Sequence, residues 1–280
     1  MEPLDVDYKY SKKPKAPPPL LLQIKFGIAS ALLLTLIFLV GSRNSKDQAD
    51  ATPTAGTKVA APVISEGTVG GIDYYHCDPL QVVADDTTKN SSPTKHLVLL
   101  HGAAFTKENW KRKGILETFC KVPGLSVSAM DLSVQSDYEA LQSLLESMQT
   151  DNLIQLPVTL VTPSASGRTM TTWVEQSSEV IQRVPDFVEA WIPVASNGVL
   201  SVDEAKLAAF YDLLRQSEKK KFQVLAIYGD QDTSGKKSSL LLEQHMDAKV
   251  VELNGPHAVY LEVPTDFSDT VIDFMGLNTK

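Results

Sequence analysis

The sequence predicts an α/β domain, in which helices cover both faces of a mostly parallel sheet, and three observations support this prediction. Short runs rich in Val, Leu and Ile alternate with helical stretches from about residue 64 onward. Such continuously apolar runs are typical of strands that are buried on both faces. Small and polar residues follow several of these runs, and in doubly wound sheets the functional residues lie just past the carboxyl ends of strands.

Eight strands are predicted, and the first two are expected to pair antiparallel around Gly70-Gly71. The strands are expected at Val69–Gly71, Ile72–Cys77, Leu97–Leu100, Leu125–Met130, Val158–Val161, Val188–Pro193, Val224–Tyr228 and Val250–Leu253. Helices are expected near residues 107–120, 136–149, 165–176, 203–216, 236–246 and 265–277. This alternating order indicates a doubly wound sheet. Residues 198–221 supply only one helix between two late strands, so no large cap domain is expected.

The composition of the 280-residue chain fits one folded core and excludes some classes of function. A hydrophobic content of 43% is enough for one good-sized core. The net charge of −8 argues against a nucleic-acid partner, which usually requires a basic face. Two cysteines are too few for a disulfide scaffold or a four-cysteine zinc site. The sequence does not decide whether Cys77 and Cys120 pair: separate buried thiols are favoured, and a single bridge is the alternative if the domain lies in an oxidising compartment.

Residues 20–41 form a long apolar stretch that is predicted to cross a membrane. About twenty helical residues are needed to span the hydrocarbon core of a bilayer. Residues 1–19 precede this stretch and no small-residue cleavage pattern follows it, so an uncleaved signal anchor is favoured over a signal peptide. Residues 42–63 are small and polar and are expected to form a flexible stalk, which leaves residues 64–280 as the folded domain.

The charges that flank the apolar stretch predict its orientation. Four lysines precede it and two basic residues closely follow it: Lys9, Lys12, Lys13 and Lys15 before, Arg43 and Lys46 after. The positive-inside tendency therefore predicts a single-pass type II protein, with the lipid bilayer bound by residues 20–41 and the folded domain on the lumenal or extracellular side. In that compartment Asn90, which begins the sequon Asn90-Ser91-Ser92, is a candidate glycosylation site.

Ser164 is the candidate nucleophile, because it lies on a predicted turn between a strand and a helix. A nucleophile elbow needs small residues two positions before and two positions after the serine, and Ser164 has Thr162 and Ser166 there. Ser166 is the alternative, but the large Arg168 follows it at the second position. Taken alone, this segment is better explained as a helix cap, since serines often cap helices and Thr162 replaces the glycine that is usual in an elbow.

An acid and a histidine follow in the order that a Ser-Asp-His triad requires. Asp232 lies past the predicted strand that ends at Tyr228, whereas Asp230 fits a turn residue. Two histidines follow Asp232, and of these His257 alone comes after the last predicted strand, whereas His245 lies in a predicted helix. This set in this order is typical of the α/β-hydrolase fold.

The segment His101-Gly102-Ala103 ends the first predicted parallel strand and is the candidate source of an oxyanion hole. The backbone N–H groups of Ala103 and Ala165 are predicted to stabilise a tetrahedral intermediate. The small side chains of Ala103 and Ala104 leave room for a substrate. No metal or cofactor is required for this chemistry.

The residues resemble those of the α/β-hydrolase domain-containing protein 14 family, and the resemblance extends over residues 64–278. It is carried by the segments LVLLHGAAFTKENW, VTPSASG, YGDQD and NGPHAVYLEVPTDF. The resemblance implies that Ser164 is the nucleophile, Asp232 the acid and His257 the base. One branch of the family, the A-like branch, has an N-terminal signal anchor, and the resemblance is to that branch.

Two positions and one loop depart from the family pattern. Thr162 replaces a serine, and Pro256 replaces a small residue before the histidine. The loop after Asp131 lacks the Gly-rich stretch that the family has there.

The sequence as a whole predicts a serine hydrolase that cleaves a small ester-like or acyl substrate through an acyl-enzyme. The absence of a cap predicts a shallow, open pocket. Two alternatives stay open on the sequence. The same triad would serve an acyltransferase whose acceptor is not water, such as a thiol cofactor. A catalytically silent scaffold of the same fold would act by binding alone.

Overall fold

A computed structural model describes residues 61–80, 94–216 and 221–278. The predicted membrane segment at residues 20–41, the tail before it, most of the stalk and the sequon at Asn90 lie outside the described residues and stay predictions. Among the helices that are described, none is both long enough and apolar enough to cross a bilayer.

Eight strands form one sheet in the order β1-β2-β4-β3-β5-β6-β7-β8. They are β1 Ser65–Val69, β2 Ile72–Cys77, β3 Lys95–Leu99, β4 Leu125–Met130, β5 Val158–Pro163, β6 Val188–Val194, β7 Gln223–Gly229 and β8 Lys249–Leu253. The hairpin β1–β2 joins β4 in antiparallel orientation, and the remaining pairs are parallel. The predicted mostly parallel sheet is therefore confirmed.

The helices agree with the predicted order and add several short segments. They are α1 Lys107–Arg112, α2 Ile115–Cys120, α3 Tyr138–Thr150, α4 Arg168–Val174, α5 Ser178–Ile181, α6 Val184–Phe187, α7 Glu204–Arg215, α8 Thr233–Met246, α9 Val259–Glu262 and α10 Pro264–Phe274. The single helix expected near residues 107–120 is two helices, because Gly114 between them has a φ of +72°, which no α-helix accommodates.

Helices cover both faces of the sheet and bury two apolar layers. On one face α3 buries Leu141, Leu144, Leu145 and Met148, the spacing of an amphipathic helix. On the other face α2 and α10 bury Phe119 and Phe267, whose rings are 6.3 Å apart. The strands lie between these layers, which explains why β4 and β5 are buried at every position.

A disulfide joins Cys77, at the end of β2, to Cys120, at the end of α2. The expectation of two separate buried thiols was therefore wrong. Both residues are buried and their Cα atoms are 6.0 Å apart, which is within the range of a disulfide. Sequence could not decide the pairing, because it depends on where a strand and a helix that are 43 residues apart meet in the fold.

The order in which strands are added to the sheet changes side at β3. The chain passes from β3 to β4 on one side and then crosses to β5 on the other side of β3. Such a switch point opens a crevice beyond the carboxyl ends of the two strands. The loop that starts at His101 and the turn at Ser164 lie at these two ends.

Candidate active site

Ser164 lies on a sharp turn between β5 and α4, as an elbow requires. Its backbone has a φ of +51°, a left-handed conformation that is uncommon outside glycine. A short 3₁₀ helix at Ser164–Gly167 then leads into α4. Gly167 is needed there because a β-carbon would lie 2.6 Å from the Ser196 hydroxyl. The turn holds the Ser164 side chain at the edge of the sheet, where it is partly exposed.

The two polar residues that flank Ser164 have structural contacts. Thr162 is fully buried, and its hydroxyl accepts a 2.8 Å hydrogen bond from the Trp191 indole. Ser166 is also buried, and its hydroxyl donates to the carbonyl of Pro163 at 2.8 Å. Since the Ser166 hydroxyl is committed to this backbone bond, the geometry favours Ser164 as the nucleophile.

The Asp232 carboxylate is buried, with 6% of its side chain exposed, and accepts several hydrogen bonds. It caps α8: Oδ1 accepts from the Ser234 hydroxyl at 2.8 Å and from the Gly235 N–H at 3.0 Å. Burial raises the pKa of Asp232, but hydrogen bonds from Gly235, His257 and Ser234 outweigh it, so the net pKa is below its ordinary value. The group is thus held as an anion at neutral pH.

His257 connects the acid to the serine. Its Nδ1 lies 2.5 Å from Oδ2 of Asp232, and its Nε2 lies 2.8 Å from Oγ of Ser164. A carboxylate can only accept, so Nδ1 carries the proton in the neutral ring and Nε2 accepts from the serine hydroxyl. The structure therefore brings the three predicted triad residues into one hydrogen-bonded chain, from three different strand ends.

A cavity of about 150 Å³ opens beside Ser164 and His257. Its wall is otherwise almost entirely apolar: Gly102, Ala103, Ala104, Phe105, Pro163, Val194, Ala258 and Tyr260. A larger cavity of about 320 Å³ lies at the opposite edge of the sheet, near the amino ends of β3 and β7, and it includes none of the triad residues. The small cavity is therefore the candidate substrate site.

The predicted oxyanion donors lie next to the nucleophile. Ala103 lines the cavity with Ser164, and Ala165 is the next residue in the chain. Gly102 approaches closely, since a β-carbon on it would lie 3.7 Å from the Ser164 β-carbon. The role of the two N–H groups stays a prediction.

A buried lysine beneath this loop was not predicted from the sequence. Lys107 begins α1, and only 7% of its side chain is exposed. Its ammonium lies 3.3 Å from Glu66, 3.3 Å from Glu108 and 3.6 Å from Asp131. Asp131 also accepts the Lys107 backbone N–H at 2.6 Å. Glu108 is the next residue, but Glu66 and Asp131 are 41 and 24 positions away along the chain, so no local sequence pattern indicates the cluster.

Asp230 is the second residue whose contacts the sequence did not indicate. It was predicted as a turn residue, and its carboxylate accepts the backbone N–H of Gly255 at 2.8 Å, two residues before His257.

Among the described residues, no group of His, Cys, Asp and Glu is arranged to hold a metal ion.

Comparisons with known proteins indicate what this chain is similar to. The chain matches no model of a known protein family. It is 27% identical over 203 residues to Protein ABHD14A of Danio rerio, an alignment that covers 69% of this chain and 68% of that protein. It is 25% identical over 189 residues to ABHD14B of Homo sapiens, a protein named for a proposed protein-lysine deacylase activity, with 64% and 82% covered.

Solved structures support the fold. The S-formylglutathione hydrolase FrmB of Staphylococcus aureus superposes with a TM-score of 0.53 at 15% identity, and the match covers 81% of this chain and all of that one (100%). At this identity the likeness concerns the fold alone, which is that of the α/β hydrolases. By sequence, the chain is similar to members of the α/β-hydrolase domain-containing protein 14 family.

Proposed function

We propose that the protein is a serine hydrolase that removes small acyl groups from ester-like or acyl substrates through an acyl-enzyme on Ser164. The observation that carries the proposal is the chain of two hydrogen bonds from Asp232 through His257 to Ser164, at 2.5 and 2.8 Å. Nucleophile, base and orienting acid are each within the reach that proton transfer requires.

In the first step His257 Nε2 takes the proton of the Ser164 hydroxyl while Oγ attacks the substrate carbonyl. Asp232 fixes the tautomer of His257 and stabilises the imidazolium that forms. The oxyanion accepts hydrogen bonds from the N–H groups of Ala103 and Ala165, and loss of one such donor typically costs about 3 kcal/mol of transition-state stabilisation. The leaving group then takes the proton from His257, and the bond between the carbonyl carbon and the leaving group breaks.

In the second step water attacks the acyl-enzyme. His257 takes a proton from the water, and the new C–O bond forms as the bond to Ser164 Oγ breaks. The serine recovers its proton from His257, and the free acid leaves. His257 has 42% of its side chain exposed, so water reaches the base directly.

The size and apolar lining of the cavity beside Ser164 favour a short, uncharged acyl group as the part of the substrate that binds there. A cavity of about 150 Å³ holds a molecule of roughly benzene size. Apart from His257, no ionisable side chain that is charged near neutral pH lines it, so a buried carboxylate in the acyl group would lack a partner. The name of the human relative ABHD14B makes an acylated lysine side chain a candidate substrate beside simple esters.

The decisive experiment is labelling by a fluorophosphonate probe, with turnover of p-nitrophenyl acetate and butyrate and of an acetyl-lysine peptide. Residues 61–280 are compared with Ser164→Ala and Ser166→Ala. We expect Ser164→Ala to abolish labelling and turnover, and Ser166→Ala to retain both, because the Ser166 hydroxyl only bonds to Pro163.

Each other outcome has a distinct meaning. A well-folded wild type that is silent towards every probe and ester would contradict the proposal and favour the binding scaffold. Labelling of Ser164 with slow hydrolysis that is strongly accelerated by an added thiol would favour the acyltransferase.

A further inference from the structure

His257 lies on a loop that follows an edge strand. β8 is the last strand of the sheet and pairs only with β7 among the described strands. The sheet therefore restrains this loop from one side only, yet the distances at His257 are those of a preorganised base. The loop also contains Gly255, whose φ of +155° lies outside the range of most residues. Something beyond the sheet must hold the loop in position.

Three hydrogen bonds join the His257 loop to the loop that carries the acid. The Asp230 N–H donates to the carbonyl of Leu253 at 2.8 Å, and the Gln231 N–H donates to the carbonyl of Gly255 at 3.1 Å. The third is the only one that uses a side chain: the Asp230 carboxylate accepts the Gly255 N–H at 2.8 Å. The second and third of these bonds hold Gly255 on its carbonyl and amide sides, and the first is made by the last residue of β8.

The two backbones are also in direct contact at Gly229. A β-carbon at this position would overlap the carbonyl oxygens of Gly255 and Pro256. Close backbone approach of this kind leaves little freedom for the loop to shift along the strand direction. Asp232 is attached to the same loop, since its N–H donates to the Gly229 carbonyl at 2.9 Å.

We infer that Asp230 is a positioning residue that sets the separation of His257 from Asp232 through its hydrogen bond to Gly255. This inference rests on the proposed function. Asp230 lies two residues before the acid and bonds to the residue two before the base, so its carboxylate joins the two loops close in sequence to both members of the reacting pair. Asp230 contacts neither the substrate cavity nor the imidazole.

The test compares Asp230→Ala with Asp230→Asn. Alanine removes the acceptor for the Gly255 N–H, whereas the amide oxygen of asparagine retains it without the negative charge. We expect Asp230→Ala to lower kcat and the rate of fluorophosphonate labelling by roughly ten- to a hundredfold, with KM changed by less than about twofold, because misplacement of a base affects the chemical step. Asp230→Asn should remain within about threefold of wild type.

Asp137→Ala serves as the matched control. Asp137 also accepts a backbone N–H, that of Ala140 at 3.1 Å, but it caps α3 and is absent from the cavity wall. Asp137→Ala should lower the stability of the protein but should not show the loss of kcat that is expected for Asp230→Ala. A second readout is the proton NMR signal of His257 Nδ1–H, expected to shift or broaden in Asp230→Ala and to be preserved in Asp230→Asn and Asp137→Ala.

The outcomes separate this inference from the proposed function. If wild type does not react with the probe, the proposed function fails first. If wild type reacts and Asp230→Ala matches it in kcat, the positioning role is wrong. Equal losses in Asp230→Ala and Asp230→Asn would also overturn it, since they would assign the effect to charge and not to the hydrogen bond.

Discussion

Single residues at the site take their protonation states from what each neighbour donates or accepts. Asp232 is an anion because three donors converge on it, and the hydrogen bond from Nδ1 fixes the tautomer of His257. The lowered pKa of Asp232 means that its stabilising effect is complete above its ordinary value of 3.8 and is lost as the pH falls through the lower folded-state value. At neutral pH the site therefore keeps its acid charged.

A different residue, the buried His96, is expected to make the stability of the protein sensitive to mild acid. His96 is buried on β3, and neither of its ring nitrogens has a hydrogen-bond partner among the described residues. Burial and the nearby His76 lower the pKa of His96 below its ordinary value of 6.5. The unfolded chain therefore binds a proton that the folded protein does not, and stability falls as the pH drops below about 6.5.

We expect His96→Leu to weaken this dependence. The measurement is the midpoint of urea unfolding for wild type and variant at a series of pH values between 7.5 and 5 (roughly the range in which a histidine of lowered pKa acts). The wild-type curve should fall more steeply than that of the variant. Parallel curves would show that His96 does not contribute.

Some residues of the candidate site could be predicted from the sequence, and others could not. Ser164, Asp232 and His257 each follow a strand, and their order along the chain, taken as a set, was the basis for proposing them. Lys107 and Asp230 are defined by contacts to residues distant in sequence, and a lysine at a helix start or an aspartate in a turn is ordinary on its own. The bridge between Cys77 and Cys120 was missed for the same reason.

At the scale of elements, ion pairs of Lys107 hold the start of α1 against the sheet. Lys107 at its first position contacts carboxylates from β1, from α1 itself and from the end of β4, and its ammonium lies 4.6 Å from the centre of the Tyr75 ring. The loop of residues 101–106 directly precedes this helix, so a firm start of α1 also limits the movement of the predicted oxyanion donor at Ala103.

We expect Lys107→Met to lower the free energy of unfolding by about 1–2 kcal/mol. Removing one member of a fully buried ion pair costs about 3–5 kcal/mol, but Glu66 and Glu108 are more than half exposed here and can regain water. Urea unfolding measures the change. Esterase kcat should fall as well, if the 101–106 loop loosens.

Lys111→Met is the matched control, because Lys111 is exposed and its ammonium also lies near the Tyr75 ring, at 4.4 Å. Its unfolding free energy should stay within about 0.5 kcal/mol of wild type. Equal effects of the two substitutions would assign the stabilisation to the aromatic contact and not to the carboxylates.

The helices and strands could be predicted from the sequence where they are buried along their whole length, as β4 and β5 are. The buried strands β4 and β5 were placed almost to the residue, since their apolar runs have no competing interpretation. The four-residue helices α5, α6 and α9 were not found, because one turn is too short to show a helical period. The break at Gly114 depends on a backbone angle, which composition does not reveal.

At the scale of the whole molecule, the disulfide links the antiparallel end of the sheet to a helix on one face. Replacing both cysteines, as Cys77→Ala with Cys120→Ala, should lower the free energy of unfolding by about 2–4 kcal/mol, mainly because the unfolded chain regains freedom. Guanidinium unfolding under oxidising conditions measures the difference. The double substitution leaves no free thiol to react.

Reduction provides the control for this prediction. Dithiothreitol should bring the wild-type unfolding midpoint towards that of the double variant and should leave the variant unchanged. If the wild type is insensitive and its thiols react with an alkylating reagent when unfolded, the bridge is absent in solution. A bridge that forms in solution would agree with the lumenal or extracellular location predicted from the sequence, since disulfides persist in oxidising compartments.

The strand order of the sheet was beyond sequence-based prediction, although its parallel character was not. Pattern indicates which segments are buried strands, but the crossover that places β3 between β4 and β5 arises from packing over the whole domain. That crossover creates the crevice in which Ser164 lies, so the position of the site depends on the most global feature of the fold.

The left-handed backbone conformation of Ser164 lowers the stability of the folded protein and at the same time positions the hydroxyl for the proposed activity. A non-glycine residue with a φ of +51° costs about 1–2 kcal/mol relative to a relaxed one. Interactions elsewhere in the domain offset this free energy, and the result is that the Ser164 hydroxyl lies beside the cavity. Selection for thermal resistance alone would favour glycine at this position and would discard the nucleophile, so any directed evolution of a hardier variant has to screen for turnover at every round.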